Sequence, residues 1–166
     1  RFPVLNNPGK FGAVYTHLRY YESWDNLFRF GSYPDVVVSF DELPTKFVFW
    51  RGVSYIPMMV NESDQWFTHE FDETGFTPEA PDDCEPMSDK ACYQSHVRVL
   101  ENSAARVVVQ WRYKLETPYH YWAHYDAKTG WGDIADWYFY IYPDGVASVR
   151  QRLYTPYFGG AQYSDG

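Results

Sequence analysis

Short apolar–polar alternations, each closed within a few residues by glycine, proline, asparagine or aspartate, run through almost the whole chain. That period suits half-buried strands and hairpin turns rather than helices. Strands are expected over residues 12–21, 36–40, 46–50, 53–60 and 65–71, then over 96–100, 106–115, 137–142 and 146–154. Val14, Leu18 and Tyr20 share one side of the first, opposite Tyr15, His17 and Arg19. Residues 36–40 and 46–50 are apolar on nearly both faces, the pattern of central strands covered twice. Pro143-Asp144-Gly145 closes the last hairpin and is a strong local turn signal. Helical signal is confined to a turn or two over 22–28. Many short strands with frequent turns give an all-β fold, an antiparallel β-sandwich of jelly-roll type built from hairpins.

Two stretches break the rhythm. Residues 72–91 are acidic, carry three prolines and have neither period, so they read as one long surface loop; 126–133, DAKTGWGD, is the second. Composition agrees with the strand reading. Aromatic residues make up 21% of the chain, and flat rings pack well on a pleated surface. At 166 residues the chain suffices for one domain with its own core. It divides into an N-terminal arm (1–10), a sandwich (11–157) and a C-terminal tail (158–166).

The formal net charge of −8 argues against nucleic acid, and no apolar run is long enough for a membrane helix. With no initiator methionine and no signal-peptide pattern, the chain reads as an excised or processed piece. Cys84 and Cys92 lie close together in the first acidic loop. A short-range disulfide is the expected state and would suit an oxidising, extracellular or cell-surface setting; a reduced pair or a metal site are the alternatives. Asn61-Glu62-Ser63 is a glycosylation sequon.

No residues assemble into a recognisable catalytic constellation, so the chain leans towards a non-catalytic role. The nearest approaches are the run His69-Glu70-Phe71-Asp72-Glu73 and the set His120, His124 and Tyr125. Tyrosine, histidine and arginine on one sheet face suit proton abstraction beside a uronic acid, with Arg112 neutralising the carboxylate, as in β-sandwich polysaccharide lyases. No cofactor is required. The one the sequence admits is calcium, held by Asp126, Asp133 and Asp136 around the Gly-rich loop, or by Asp82, Asp83, Glu85 and Asp89 in the longer one. Cys84, Cys92 and His96 lack a fourth ligand and the close spacing of structural zinc.

In the last hairpin Trp137, Phe139 and Ile141 point to the core. Tyr138, Tyr140 and Tyr142 then point outward beside Arg150 and Arg152, with Arg112 on the same kind of face. Tyrosine and arginine are enriched where proteins meet partners, and aromatic rings also stack on sugars.

The runs FGAVYTHLRYYESWD, VFWRGVSYIP, CEPMSDKACYQSHVRVLEN, ARVVVQWRY and GWGDIADWYFYIYPDGV, spread over residues 11–154, resemble a family of uncharacterised exported bacterial proteins. Longer members carry additional concanavalin-like domains. The resemblance implies an extracellular β-sandwich in a polysaccharide setting and brings no assigned catalytic residues. The chain closes soon after Tyr154, so an activity needing a further domain is not expected of this stretch alone.

A Gly-rich tail and a Pro/Asn-containing arm need something to order them, and sandwich edges invite strand addition. The expected role is therefore a structural subunit, self-assembling into an extracellular filament or surface layer through strand or arm exchange and the Tyr/Arg face. Its partners are then copies of itself. The alternatives are a carbohydrate-binding module or a fragment of a polysaccharide lyase or glycoside hydrolase.

Overall fold

A computed structural model of the chain describes residues 11–19 and 33–156, together with the backbone of Gln162–Asp165. The arm at 1–10, the helical turn at 22–28 and the side chains of the tail lie outside the described residues.

The fold is all-β, with two antiparallel sheets face to face. The first joins β1 (Gly12–Thr16), β2 (Asp35–Ser39), β3 (Lys46–Phe49), β4 (Pro57–Val60) and β5 (Trp66–Thr68), in that order. The second joins β6 (His96–Asn102), β7 (Val107–Lys114), β8 (Ile134–Ile141), β9 (Ala147–Thr155) and β10 (Gln162–Asp165), also in sequence order. The sandwich follows the sequence expectation, and so does its construction from successive hairpins. Each sheet is a meander whose spatial neighbours are sequence neighbours.

The sheets meet over aromatic side chains that alternation turns inward. Phe47 and Phe49 of β3 lie 5.6 and 5.4 Å from the Phe139 ring of β8. Trp111 and Tyr113 of β7 are fully buried beside them, and the Trp111 indole donates to the Ser54 carbonyl at 2.9 Å, tying one sheet to the other. The second face of the first sheet is apolar too. Val37, Val48 and Val60 are buried there with Leu18, and Trp50 and Trp66 pack against them. The two-sided coverage read from residues 36–40 and 46–50 is thus observed.

Boundaries differ from the sequence reading where polar groups intervene. β1 stops at Thr16 because the Leu18 amide turns away to the buried Asp35 carboxylate, 2.6 Å from Oδ2. The expected strand 53–60 starts only at Pro57. Residues Arg51–Val53 form a 3-10 turn, and Ser54 and Tyr55 follow in the left-handed region at φ 56° and 63°. The final hairpin closes as read, with the Tyr142 amide donating to the Val146 carbonyl and Gly145 at φ +85°. At the opposite margin Asn102 of β6 clasps β1. Its Oδ1 accepts the Ala13 amide at 3.0 Å, and its Nδ2 donates to the Ala13 carbonyl at 2.9 Å.

Candidate functional site

The register of β6 to β9 sets up the outward face of the second sheet. Tyr138 lies between Gln110 and Arg150, Asp136 between Arg112 and Arg152, and Tyr140 between Val108 and Ser148. Across β6, His96 pairs with Arg112, Arg98 with Gln110, and Glu101 with Val108. Since Trp111, Tyr113, Trp137 and Phe139 face the core, these intervening residues share the other side. Over β6 to β9 this face carries Arg98, Arg112, Lys114, Arg150 and Arg152 against Glu101 and Asp136, five cations to two carboxylates, a net +3 on a chain of −8.

A network fixes these groups. Asp136, fully buried, accepts from Arg112 Nε at 2.7 Å and Nη2 at 2.5 Å, a two-pronged bond that holds the Arg112 pKa above its ordinary value. Gln110 Nε2 donates to Asp136 at 3.1 Å and to the Tyr138 hydroxyl at 3.2 Å, while its Oε1 accepts Arg98 Nε at 2.6 Å. Guanidinium groups lie over the rings: Arg152 over Tyr138 at 5.7 Å, Arg112 over Tyr154 at 6.0 Å and Arg106 over Tyr140 at 5.9 Å. Burial pushes the Tyr138 phenol upward, so it stays a hydrogen-bonding hydroxyl. Val108, Gln110 and Asp136 are sealed beneath, while Arg98, Arg112 and Arg150 remain exposed. Tyr138, Tyr140, Arg112, Arg150 and Arg152 thus lie together on this face, and Tyr142 stands at its hairpin end beside Arg106.

At the other end of the face, the segment between β7 and β8 folds into two tight loops around Ala123. Ala123 donates to the Leu115 carbonyl and accepts from the Asp133 amide, at 3.0 and 2.9 Å. Bridges at Glu116–Trp122 and Asp126–Trp131 close the loops. Gly132 permits this approach, because a Cβ there would stand 2.6 Å from the Ala123 carbonyl and 2.7 Å from the Trp122 ring. Glu116 and Asp133 are buried, and each holds an imidazole. His120 Nδ1 is 2.9 Å from Glu116 Oε1, and His124 Nδ1 is 2.8 Å from Asp133 Oδ2. Lys114, at the end of β7, reaches Glu116 Oε2 at 2.8 Å and lies 4.6 Å above the Trp122 ring. Both histidines take left-handed backbone angles, φ 66° and 49°, which non-glycine residues adopt rarely and keep only where their surroundings fix them.

The remaining predicted residues are dispersed. Asp126 caps its own turn, accepting the Lys128 amide at 3.0 Å, and that bond holds its carboxyl below the usual range. Asp133 is bound by His124 and Asp136 by Arg112, so the three aspartates do not form one oxygen cage. Among the described residues no three histidine, cysteine, aspartate or glutamate side chains are grouped as a metal ion would require, which also separates Cys84, Cys92 and His96. In the acidic loop Asp89 is buried and accepts the Tyr93 and Gln94 amides, and Asp82 accepts the Asp83 amide. Glu85 stands among Asp82, Asp83 and Glu73; burial, then their charges, raises its pKa.

The disulfide expectation is corrected: both cysteines are free and buried. Cys92 donates to the Arg51 carbonyl at 2.7 Å, while Cys84 is turned to the Asp82 carbonyl at 3.7 Å, so each thiol is directed to a different part of the chain. The Asn61 side chain is engaged in its own turn, accepting the Ser63 and Gln65 amides and donating to Gln65 Oε1. In the run 69–73, His69 stands edge-on to Trp137 and Phe139, whereas the Asp72 backbone bonds the Tyr113 hydroxyl of β7. The Asp72 carboxylate accepts the Trp137 indole at 3.0 Å and is also bound by Gln151.

Sequence reasoning singled out His120, His124 and Asp133 but missed Glu116, which holds His120, and Lys114, which pairs with Glu116. The i, i+4 spacing of Glu116 and His120 was the available signal, yet it carries no meaning outside a helix until a tight loop brings the pair together. Compared with protein-family models, with curated proteins and with solved structures, the chain matches none of them.

Proposed function

We propose that the outward face of β6 to β9 binds an acidic polysaccharide outside the cell, in the manner of a carbohydrate-binding module. The observation that carries this reading is the concentration of five cationic side chains and the rings of Tyr138, Tyr140 and Tyr154 on one face of an acidic chain. Guanidinium groups match carboxylate and sulfate esters, and rings beside them stack on sugar faces. The Asp136–Gln110–Tyr138 network supports the same reading, since it orders Arg98 and Arg112 before any ligand arrives and so lowers the entropy cost of binding.

Calorimetric titration with polygalacturonate and with a heparin-type sulfated polymer tests this, with a duplex DNA control. Binding to at least one polysaccharide is expected, weakening roughly tenfold between 50 and 200 mM salt because oppositely charged groups are screened. Arg98→Ala with Arg150→Ala is expected to remove most of that salt dependence. Absence of binding to both polymers, or preference for DNA, would overturn the reading.

A second reading, self-assembly by strand exchange, is favoured by one observation. Strand β10, from the tail, pairs antiparallel with the edge of β9, from Gln162 opposite Thr155 to Asp165 opposite Arg152. A strand that completes the edge of its own sheet is also able to complete that of a second copy. Negative-stain microscopy and light scattering at high concentration test it: monomers alone, with the tail intact, would sink the idea.

A further inference from the structure

The loops between β7 and β8 carry an unusual load of water-facing rings. Among the described residues nine aromatic side chains are exposed, and four of them, Tyr119, Tyr121, Tyr125 and Trp131, fall within this one segment. Trp131 is 59% exposed, and Tyr119 and Tyr121 are 75% and 54% exposed. Such rings leave large apolar faces in water, which costs stability unless something covers them.

The backbone beneath them is held firmly. Thr117 Oγ1 accepts the Tyr119 and Tyr121 amides, each at 3.2 Å, and the His120 amide donates to the Thr117 carbonyl at 2.8 Å. Trp131 sits in a turn closed by its carbonyl, which accepts the Asp126 amide at 2.8 Å, and by Gly130 donating to Asp126. Trp122 is pinned through its indole to the Asp133 carbonyl at 2.7 Å, and its ring centroid lies 6.1 Å from that of Trp131. The aromatic surface is therefore ordered before binding, the condition under which stacking yields most affinity.

This surface is continuous with the cationic face. Lys114, the last residue of β7, covers the Trp122 ring and reaches Glu116; Glu116 in turn holds His120 through Nδ1. With Nδ1 so engaged and the side chain 60% exposed, the outer edge of the His120 ring is presented to solvent beside Tyr119 and Tyr121. A chain lying along the arginines of β7 to β9 meets rings and one imidazole where those strands end.

We infer that the 116–131 loops form a stacking subsite for pyranose units of the polysaccharide bound on the adjacent sheet face, with Trp131, beside Trp122, as the platform, Tyr121 as a second exposed ring and His120 as a hydroxyl contact. This deepens the acidic-polysaccharide reading and rests on it. Charged contacts on the sheet supply the salt-dependent part of binding, and the loop rings supply a part that salt does not screen.

The test is calorimetric titration of the full chain with an octagalacturonate, comparing wild type, Trp131→Ala, Tyr121→Ala and Trp131→Phe, each verified by circular dichroism. Trp131→Ala is expected to weaken binding about tenfold, equivalent to losing one stacked ring, with the salt slope unchanged. Tyr121→Ala should weaken it by a smaller factor, and Trp131→Phe should stay within about threefold of wild type, because a flat ring remains. Wild-type binding with both alanine variants within twofold of it would overturn the subsite and leave the sheet face standing. A wild type that binds no octagalacturonate would overturn the subsite, and the sheet-face reading would fall with it only if the sulfated polymer were not bound either.

Discussion

Asp35, Glu116, Asp133 and Asp136 are withdrawn from water, and each sits against a side chain able to carry positive charge: Arg51, Lys114 with His120, His124, and Arg112. Burying a carboxylate without such a partner costs several kcal/mol, so these pairs fix where the loops and strand ends attach. The cysteines are buried too, and for them burial outweighs any nearby positive charge. Burial, reinforced by Asp133 beside Cys84 and by Asp89 beside Cys92, pushes the thiols up to about 11 and about 12. At pH 8 about one thiol in a thousand or fewer is then the reactive thiolate. Ellman's reagent is expected to release almost nothing from the native protein within minutes, and two equivalents after denaturation in guanidinium. Fast release from the native state would contradict the burial, and none after denaturation would mean a disulfide. The sequence showed these cysteines as close neighbours in an acidic stretch. It could not show that Cys92 is drawn under the Arg51 carbonyl, forty-one positions away along the chain.

Among elements, the margin between β1 and β6 depends on few groups. Asn102 bonds both the amide and the carbonyl of Ala13, and the Tyr15 hydroxyl accepts the Val99 amide at 2.8 Å. Replacing Asn102 with alanine should cost about 1–2 kcal/mol, because two partly buried backbone groups lose their partner. Urea unfolding measures that loss, and hydrogen exchange should show it confined at first to β1; an unchanged midpoint would refute it. The strands themselves were largely legible. Alternation gave β7 its core face of Val107, Val109, Trp111 and Tyr113, and Pro-Asp-Gly gave the β8–β9 turn. What stayed hidden depends on contacts remote in sequence. Nothing local foretells that Asp35 captures the Leu18 and Arg51 amides and so ends β1 early, or that Ser54 and Tyr55 adopt left-handed angles before β4. The outward Tyr/Arg face was readable by the same alternation that gave the core, whereas the loop histidines needed Glu116 folded back on His120 and Asp133 on His124.

For the whole molecule, Asp72 links the strap after β5 to the second sheet, and its protonation is tied to folding. Burial raises its pKa above the ordinary carboxylate value, although bonds from Trp137 and Tyr113 pull it down. The folded state therefore keeps this proton at a pH where the unfolded chain, with a pKa near ~3.9, has lost it. Its contribution to stability is complete below the unfolded value and is lost as pH rises through the folded one. Asp72→Asn does not titrate, so the variant should gain on wild type as pH rises through that window. Urea unfolding of both proteins at pH 3.5 and pH 7 measures the difference, and a gap independent of pH would refute it.

The sequential order of strands within each sheet also bears on how the chain reaches this state. Every pairing within a sheet joins neighbouring strands, so most hairpins close over short loops, on a scale of ~1–10 μs. Neither sheet has a finished interior alone, since Phe47 and Phe49 find Phe139 only across the sandwich. During synthesis the first meander leaves the ribosome before the second exists, with its aromatic face still open to water. The hazard then lies in the interval before the later half arrives, when the aromatic face of the first meander has no partner to cover it.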